Sequence, residues 1–393
     1  MIRLLLLVLV PVAVAASSPG VTSTTITIGG TVPLSGPAAA FGSVGPGADA
    51  YFKWIDAHGG VNGRKIVYRY LDDAYDPAQT IQQTRRLVEQ EHVFAIFNTV
   101  GTEHALAIRQ YLNQAKVPEL FVGSGVSLIA REHERYPWTM GYLPSFFAEG
   151  LVYGRYIAAH TPRAKIAVLY ENSDFGKDLA AGLRRGLAGK GKIVAQQSYE
   201  ITDSDVGSQV ARLRASGADT LMLFATPKFA IGGYVQANRL GWTPKVYITS
   251  VSISPDIMAI ARANAPKLTA GSISIAFVKD PTSPVWAKDP IVPLYRKILR
   301  AYLPDAHFND VYNYYGMAVA YTMVDALRHA GRNPTRDSLL RAATHLDEKN
   351  PFLLPGLRIK TSGSDYYPME KVHFVRYRGG RWVLFGKLVD ARG

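Results

Sequence analysis

The sequence predicts an α/β protein of two doubly wound lobes built on mostly parallel sheets. Three observations carry this. From Thr25 onward, apolar strand-like runs alternate with helix-period stretches across short Gly-, Pro- and Asp-rich turns, the βαβα pattern of a parallel sheet covered on both faces. The same alternation restarts near Pro144, after the segment "PWTMGYLPS". The chain's 393 residues also make about twice the length of a usual domain.

The elements follow in order. "TITIGGTV" reads as the first strand. A helix over 48–57 stops at Gly59-Gly60, and "KIVYRYL" follows the turn "VNGR". Asp76-Pro77 opens a helix, with Asp as N-cap and Pro at the first position; its apolar face is expected at Ile81, Leu87 and Val88. "HVFAIF" makes a buried strand. In the next helix, over 103–115, Ile108, Tyr111, Leu112 and Ala115 fall at i, i+3, i+4 and i+7. "PELFVG" ends the first set. In the second, helices are expected over 146–159, 177–188, around Val206, Val210 and Leu213, and over 231–240. They alternate with the strands "AKIAVLY", "KIVAQQSY", "DTLMLFA" and "KVYIT". After the strand "SISIAFV" come helices over 291–302 and 311–330, and "KVHFVRYRGGRWVLFGKLV" closes as a hairpin turned at Gly379-Gly380.

Composition narrows the functional classes. "MIRLLLLVLVPVAVAASS" has a basic start at Arg3, a short apolar run and an Ala13-Val14-Ala15 site, so residues 1–16 are expected to be a cleaved secretory signal peptide. No later stretch reaches eighteen consecutive apolar residues, and a soluble periplasmic protein is expected. The chain has no cysteine, which excludes a disulfide and a lipid anchor on an N-terminal cysteine. The net charge of +13 is dispersed in short basic groups such as Arg85-Arg86 and Arg184-Arg185. Nucleic-acid binding needs a clustered footprint, and none is expected here.

Enzyme and metal signatures are missing. There is no G-x-x-x-x-G-K-[ST] loop, and "GSVGPG" has the wrong glycine spacing for a dinucleotide. No H-E-x-x-H occurs and the nine histidines are scattered. "VGSGVS" places Val122 where a nucleophile elbow needs glycine. Asp72, Asp73 and Asp76 are too few ligands for a calcium loop and fit strand-end, turn and cap roles. No catalytic residue, metal ligand or cofactor is expected.

One junction points to a ligand. "NTVGTEHALAI" follows the apolar run "VFAIF" and reads as strand, polar turn, helix start. The first N–H groups of a helix lack internal partners and attract an anion or an acceptor. Thr102 has two readings, as cap of its own helix or as part of an anion site.

The segments "TITIGGTVPLSGPAAAFG", "GADAYFKWIDAHGGVNGRKIVYRYLDDAYDPAQT", "PELFVGSG" and "IAVLYENSDFGKDLAAGLRRGL" together resemble the leucine/isoleucine/valine-binding family of periplasmic substrate-binding proteins, over essentially all of residues 24–390. The resemblance implies a type I periplasmic binding protein, two lobes joined by three crossovers and closing on a ligand. Matching segments place the crossovers near 141–144, 274–278 and 354–357. One lobe would hold 24–141 and 279–353, the other 142–278 and 354–393. The implied partners are an inner-membrane permease pair and its ATPases.

The resemblance also implies a ligand carboxylate gripped by two turns, Thr99, Val100, Gly101 and Thr102 in one and Gly123, Ser124 and Gly125 in the other. Phe41 and Phe175 match ring positions, and Tyr142 lies at the first crossover. The late tyrosines Tyr312, Tyr314 and Tyr315 are assigned neither to cleft nor to core. Amino-acid binders of the family clamp the ligand's ammonium with an acidic residue and a tyrosine. Here the acidic position falls at Val251, beside Ser252, and the tyrosine's near Pro227, beside Thr226. An ammonium buried without a counter-charge costs several kcal/mol. The expected ligand is therefore a small carboxylate without an α-ammonium, either an aromatic or otherwise apolar acid or a short dicarboxylate. Glu171 and Asp174 are the substitutes that would restore an amino-acid or amide receptor, although Asp174 also fits a cap for the next helix. An exported hydrolase is the alternative from another class.

Overall fold

The computed structural model describes residues 18–392; the expected signal peptide lies outside them. Strand β1 (Thr25–Val32) leads into helix α1 (Val44–Ala57) and β2 (Lys65–Asp72). Helix α1 starts four residues before the expected point, because Pro46 falls in its first turn, where its missing N–H costs nothing. Asp76 caps α2 (Pro77–Arg85) by accepting from the Ala78 N–H at 2.9 Å, with Pro77 at the first position. The apolar face expected there is not the buried one. Thr80, Thr84 and Leu87 point inward while Ile81 is exposed, since the helix loosens into a π turn over Arg86–Gln90. Of "HVFAIF", only β3 (Ile96–Phe97) joins the ladder, and α3 (Thr102–Gln114) follows. Next come β4 (Glu119–Val122), the short α4 (Ser127–Arg131) and β5 (Thr139–Gly141). The first sheet is wholly parallel, in the order β2-β1-β3-β4-β5. Its fifth strand lies inside the segment read from sequence as a separator, whose flanking prolines mask a three-residue strand.

Ser145 caps α5 (Phe146–His160), which packs lengthwise on α6 (Asp174–Leu187) across β6 (Lys165–Glu171). Gly150 and Gly154 on α5 face Gly182 and Gly186 on α6, where a Cβ would strike the other helix's backbone. The lobe continues through β7 (Lys192–Tyr199), α7 (Gly207–Ala215), β8 (Thr220–Phe224), α8 (Pro227–Arg239) and β9 (Lys245–Ile248). Helices α9 (Pro255–Asn264) and α10 (Pro266–Thr269) precede β10 (Ile273–Ala276). The chain then returns to the first lobe with α11 (Ile291–Tyr302), α12 (Val311–His329) and α13 (Arg336–Ala343), of which α12 packs along α1. A two-stranded ladder, β11 (Asp347–Glu348) with β12 (Ile359–Lys360), follows, and the hairpin β13 (Lys371–Arg378) and β14 (Arg381–Asp390) completes the second sheet. Its order is β14-β13-β10-β9-β8-β6-β7, antiparallel only where β13 meets β10 and β14.

Leu354, Leu357, Ile359, Tyr366 and Met369 sit in the core of the first sheet. Residues 354–369, expected with the second lobe, thus pack with the first. Their apolar side chains have β11 and the α12 core as neighbours, and the chain enters the second sheet only at β13.

Candidate functional site

Each sheet reverses strand order once, between β1 and β3 in one lobe and between β6 and β8 in the other. Ligands in open α/β sheets bind outside the carboxyl ends of strands at such switch points. Both reversals face one interlobe cleft of about 150 Å³. Phe41 follows β1, Val100, Gly101 and Thr102 follow β3, Phe175 follows β6 and Thr226 follows β8, and all six line it.

The turn singled out from sequence forms the polar end. Gly101 has φ of 116°, and a Cβ there would collide with the His104 ring, so only glycine fits. No side chain caps α3, and among the described residues nothing accepts from the N–H groups of Thr102, Glu103 or His104. Thr102 does not cap its own helix. Its Oγ1 lies 2.8 Å from Ser124 Oγ and ties the two turns together. The helix start is thus an open set of donors, to which the dipole adds ~0.3–1 kcal/mol for an anion.

The walls are mostly apolar. Phe41 meets Tyr312 edge to face at 5.2 Å, and Phe175 meets Phe146 at 4.9 Å. Of the late tyrosines, Tyr312 and Tyr315 reach the cleft, while Tyr314 is buried with its hydroxyl donating to Phe352 O. Gly123 and Val251 also line the cavity. Six expected site residues do not. Thr99 is fully buried behind the turn, and Ser124 bonds Thr102 and the Val126 N–H. A Cβ on Gly125 would strike Pro144 O, so Gly125 serves a backbone approach rather than the ligand. Tyr142 points into the first core, its hydroxyl donating to Ala318 O at 3.2 Å. Pro227 is buried in the first turn of α8, and Ser252 donates to Ala225 O at 2.7 Å.

The lobes are closed on each other. Glu103 of α3 accepts from the Asp174 N–H at the start of α6 at 2.7 Å. Asp174 itself makes no cap, so the capping carboxylate comes from the other lobe. Asp178 of α6 accepts from the Ser127 N–H at 2.8 Å and from its hydroxyl at 2.7 Å. Tyr312 donates to Val251 O at 2.9 Å.

The acidic groups around the cleft are largely spent. Glu171 is sealed beneath Thr226, accepting from Ser173, Tyr199 and Thr226 hydroxyls, and burial pushes its pKa up. Glu149 lies under the turn that carries Val251, its carboxylate taken by the Ser250 N–H and hydroxyl and by Tyr153; burial raises its pKa too. Sequence reasoning missed two charged residues that line the cleft, Lys279 and Asp280. They follow the strand "SISIAFV" directly, and that position on a crossover was the available signal. The Lys279 ammonium is held by Asp289 and Pro351 O, both at 2.8 Å. Asp280 accepts from the Thr282 N–H and hydroxyl and the Ser283 N–H, and burial pushes its carboxyl up.

Two doubly wound lobes closed over a shared cleft define a hinged ligand-binding protein of the type I periplasmic class. Comparison with known proteins agrees. A family model described as "Periplasmic binding protein" matches residues 25–381. Leu/Ile/Val-binding protein homolog 7 of Brucella suis is 30% identical over 250 residues, 61% of this chain and 62% of the relative, so the match spans about three fifths of that protein's length. A branched-chain amino acid ABC transporter protein from Thermus thermophilus with bound valine superposes with a TM-score of 0.82 at 19% identity, over 93% of this chain and 97% of that one. A fatty acid ABC transporter substrate-binding protein from Thermomonospora curvata gives 0.80 at 20% identity, over 95% and 94%. At such identity the two structures speak for the fold. The chain belongs to the periplasmic binding protein family, in its leucine/isoleucine/valine-binding branch.

Proposed function

We propose that this chain is the exported receptor of an ATP-driven importer, directed to the periplasm by residues 1–16, and that it closes on a small apolar carboxylate lacking an α-ammonium. One observation carries the ligand class: the unpartnered N–H donors at the start of α3, whose Gly101 and Thr102 line one end of the cleft, against apolar Val251 where an ammonium partner would sit. The rings of Phe41, Phe175 and Tyr312 supply flat walls for an aromatic or aliphatic body. Rotation about the three chain crossings would open the lobes, and a permease with its ATPases would engage the closed form. Calorimetry against amino acids, aromatic acids, alkanoates and short dicarboxylates tests the class. Binding of at least one carboxylate with no heat from leucine is the expected result, and tight leucine binding with silence toward every acid refutes it.

A second reading has one observation in its favour. Asp280 puts a carboxylate on the cleft wall from a segment with no counterpart in the expected ammonium clamp. An amino-acid receptor using it would bind leucine and lose that binding on Asp280→Asn.

A further inference from the structure

The cleft does not end at the rings. Its second-lobe wall follows the sheet from strand to strand: Thr226 after β8, Val251 after β9, Ala276 at the end of β10, Val375 on β13 and Leu384 on β14. Those are four strand steps, a lateral run of roughly 19 Å at ~4.8 Å per step. The two ends differ in chemistry. Unpartnered donors sit at the α3 start, whereas the far arm is walled by Ile253, Pro255, Trp286, Val375, Trp382 and Leu384. The indole N–H of Trp382 is already given to Ile253 O at 2.8 Å, so its ring offers the arm only carbon. Apolar groups continue to the rim, where Leu384 is 36% exposed.

We propose that this arm holds an apolar tail of the same ligand, so that the preferred ligands are elongated monocarboxylates with an unbranched alkyl or aryl-alkyl chain. The direction of the tail rests on the carboxylate reading above; its existence rests on the arm alone. From the Val251 wall to Leu384 the run is roughly 14 Å, matching a tail of roughly eight to twelve carbons at ~1.2 Å per bond of extended chain. A compact amino acid would leave this arm empty.

The test is a length series on protein stripped of bound ligand, followed by calorimetry and by the fluorescence of the tryptophans that line the arm. Butanoate, hexanoate, octanoate and decanoate are run beside their primary amides. Affinity is expected to rise about fourfold per added methylene, with the acids tighter than the amides. Leu384→Asp at the exposed rim and Trp286→Ala on the facing side should each flatten that rise, with melting curves confirming the fold. Acids that bind without length dependence overturn the tail and leave the carboxylate reading standing. A length dependence shared equally by acids and amides supports the tail and overturns the carboxylate reading. Silence from both series overturns the tail and leaves the carboxylate reading to the aromatic acids and dicarboxylates of the wider panel, and a slope that survives both variants overturns the tail.

Discussion

Removing the carboxylate that bridges the lobes should loosen closure by a measurable amount. Glu103 sits in the first turn of α3, and its Oε1 accepts from the Asp174 N–H, at the start of α6, at 2.7 Å. It therefore supplies a charge-assisted hydrogen bond across the cleft, at the positive end of a helix that has no side-chain cap of its own. A hydrogen bond to a charged group contributes ~1.5–3 kcal/mol when desolvated. Glu103 is partly exposed, so a discounted value of about 1–2 kcal/mol is appropriate. Separating the lobes would break this bond, since its two partners lie on opposite sides of the cleft. Its loss thus lowers the closed fraction and weakens the apparent ligand affinity by the same free energy, a factor of ~5–30. Glu103→Ala should show the full loss and Glu103→Gln, which keeps an acceptor without the charge, a smaller one. Calorimetry with whichever carboxylate binds gives the affinity, and small-angle X-ray scattering of the ligand-free protein gives the opening. Unchanged affinity together with an unchanged radius of gyration in Glu103→Ala would sink the reasoning.

Three further outcomes follow from the site and the cores. Val251→Glu should weaken carboxylate binding relative to the neutral, similarly shaped Val251→Gln. Two like charges ~5–8 Å apart at an effective dielectric of ~20 repel by about 2–3 kcal/mol, and equal affinities in the two variants would refute an anionic ligand at this wall. Gly101→Ala should disrupt the α3 turn, since φ of 116° and the His104 ring both oppose a Cβ; a loss of about 1–3 kcal/mol should appear in urea melts, with a larger loss in binding. The third concerns Glu348, whose carboxyl burial pushes up to about 7. Its Oε1 accepts from Thr322, while among the described residues its Oε2 has no partner. Because the folded state holds this proton more tightly than the unfolded chain, the Glu348 contribution to stability is present below its unfolded pKa. It declines as pH rises to about 7, by about 3 kcal/mol in all. Glu348→Gln should flatten that part of the stability–pH curve measured by urea unfolding, and a slope identical to the parent's would contradict the assignment.

How much of this was legible in the sequence follows from where the information sits. Parallel strands buried on both faces appear as apolar runs, so β6 and β8 fall within a residue of their expected places, and β1 and the partly exposed edge strand β7 lie where they were expected too. The Asp76-Pro77 start of α2 was equally readable, because a cap and a proline act within one turn. What failed was information held elsewhere in the chain. Thr139–Gly141 becomes a strand only because β4 lies beside it, and Ile81 faces solvent because the helix changes pitch a few residues on. The site divides along the same line. The α3 turn is local chemistry and lines the cleft where it was expected, as do Phe41, beyond the loop after β1, and Phe175, in the first turn of α6. Tyr142, placed by its position at a crossover, instead turns into the first core toward Ala318 and Asn350, residues far away in sequence.

The far arm shows why a pocket's length is the hardest property to read ahead. Trp286 comes from a turn after the second crossover, Ile253 from the loop after β9, and Trp382 and Leu384 from the last strand. Nothing in the local pattern of any of them signals a cavity. In each, an alternating or punctuating apolar residue has an ordinary structural reason to be there, and only the order of strands in the sheet brings them into one wall. On the proposed reading, ligand class would be set by two kinds of residue: a local turn would decide which charge the head carries, and remote apolar side chains how far the body extends. Changes confined to the hairpin could then alter ligand length while the α3 donors keep the preference for an acid, which makes length and head group separable in the binding series.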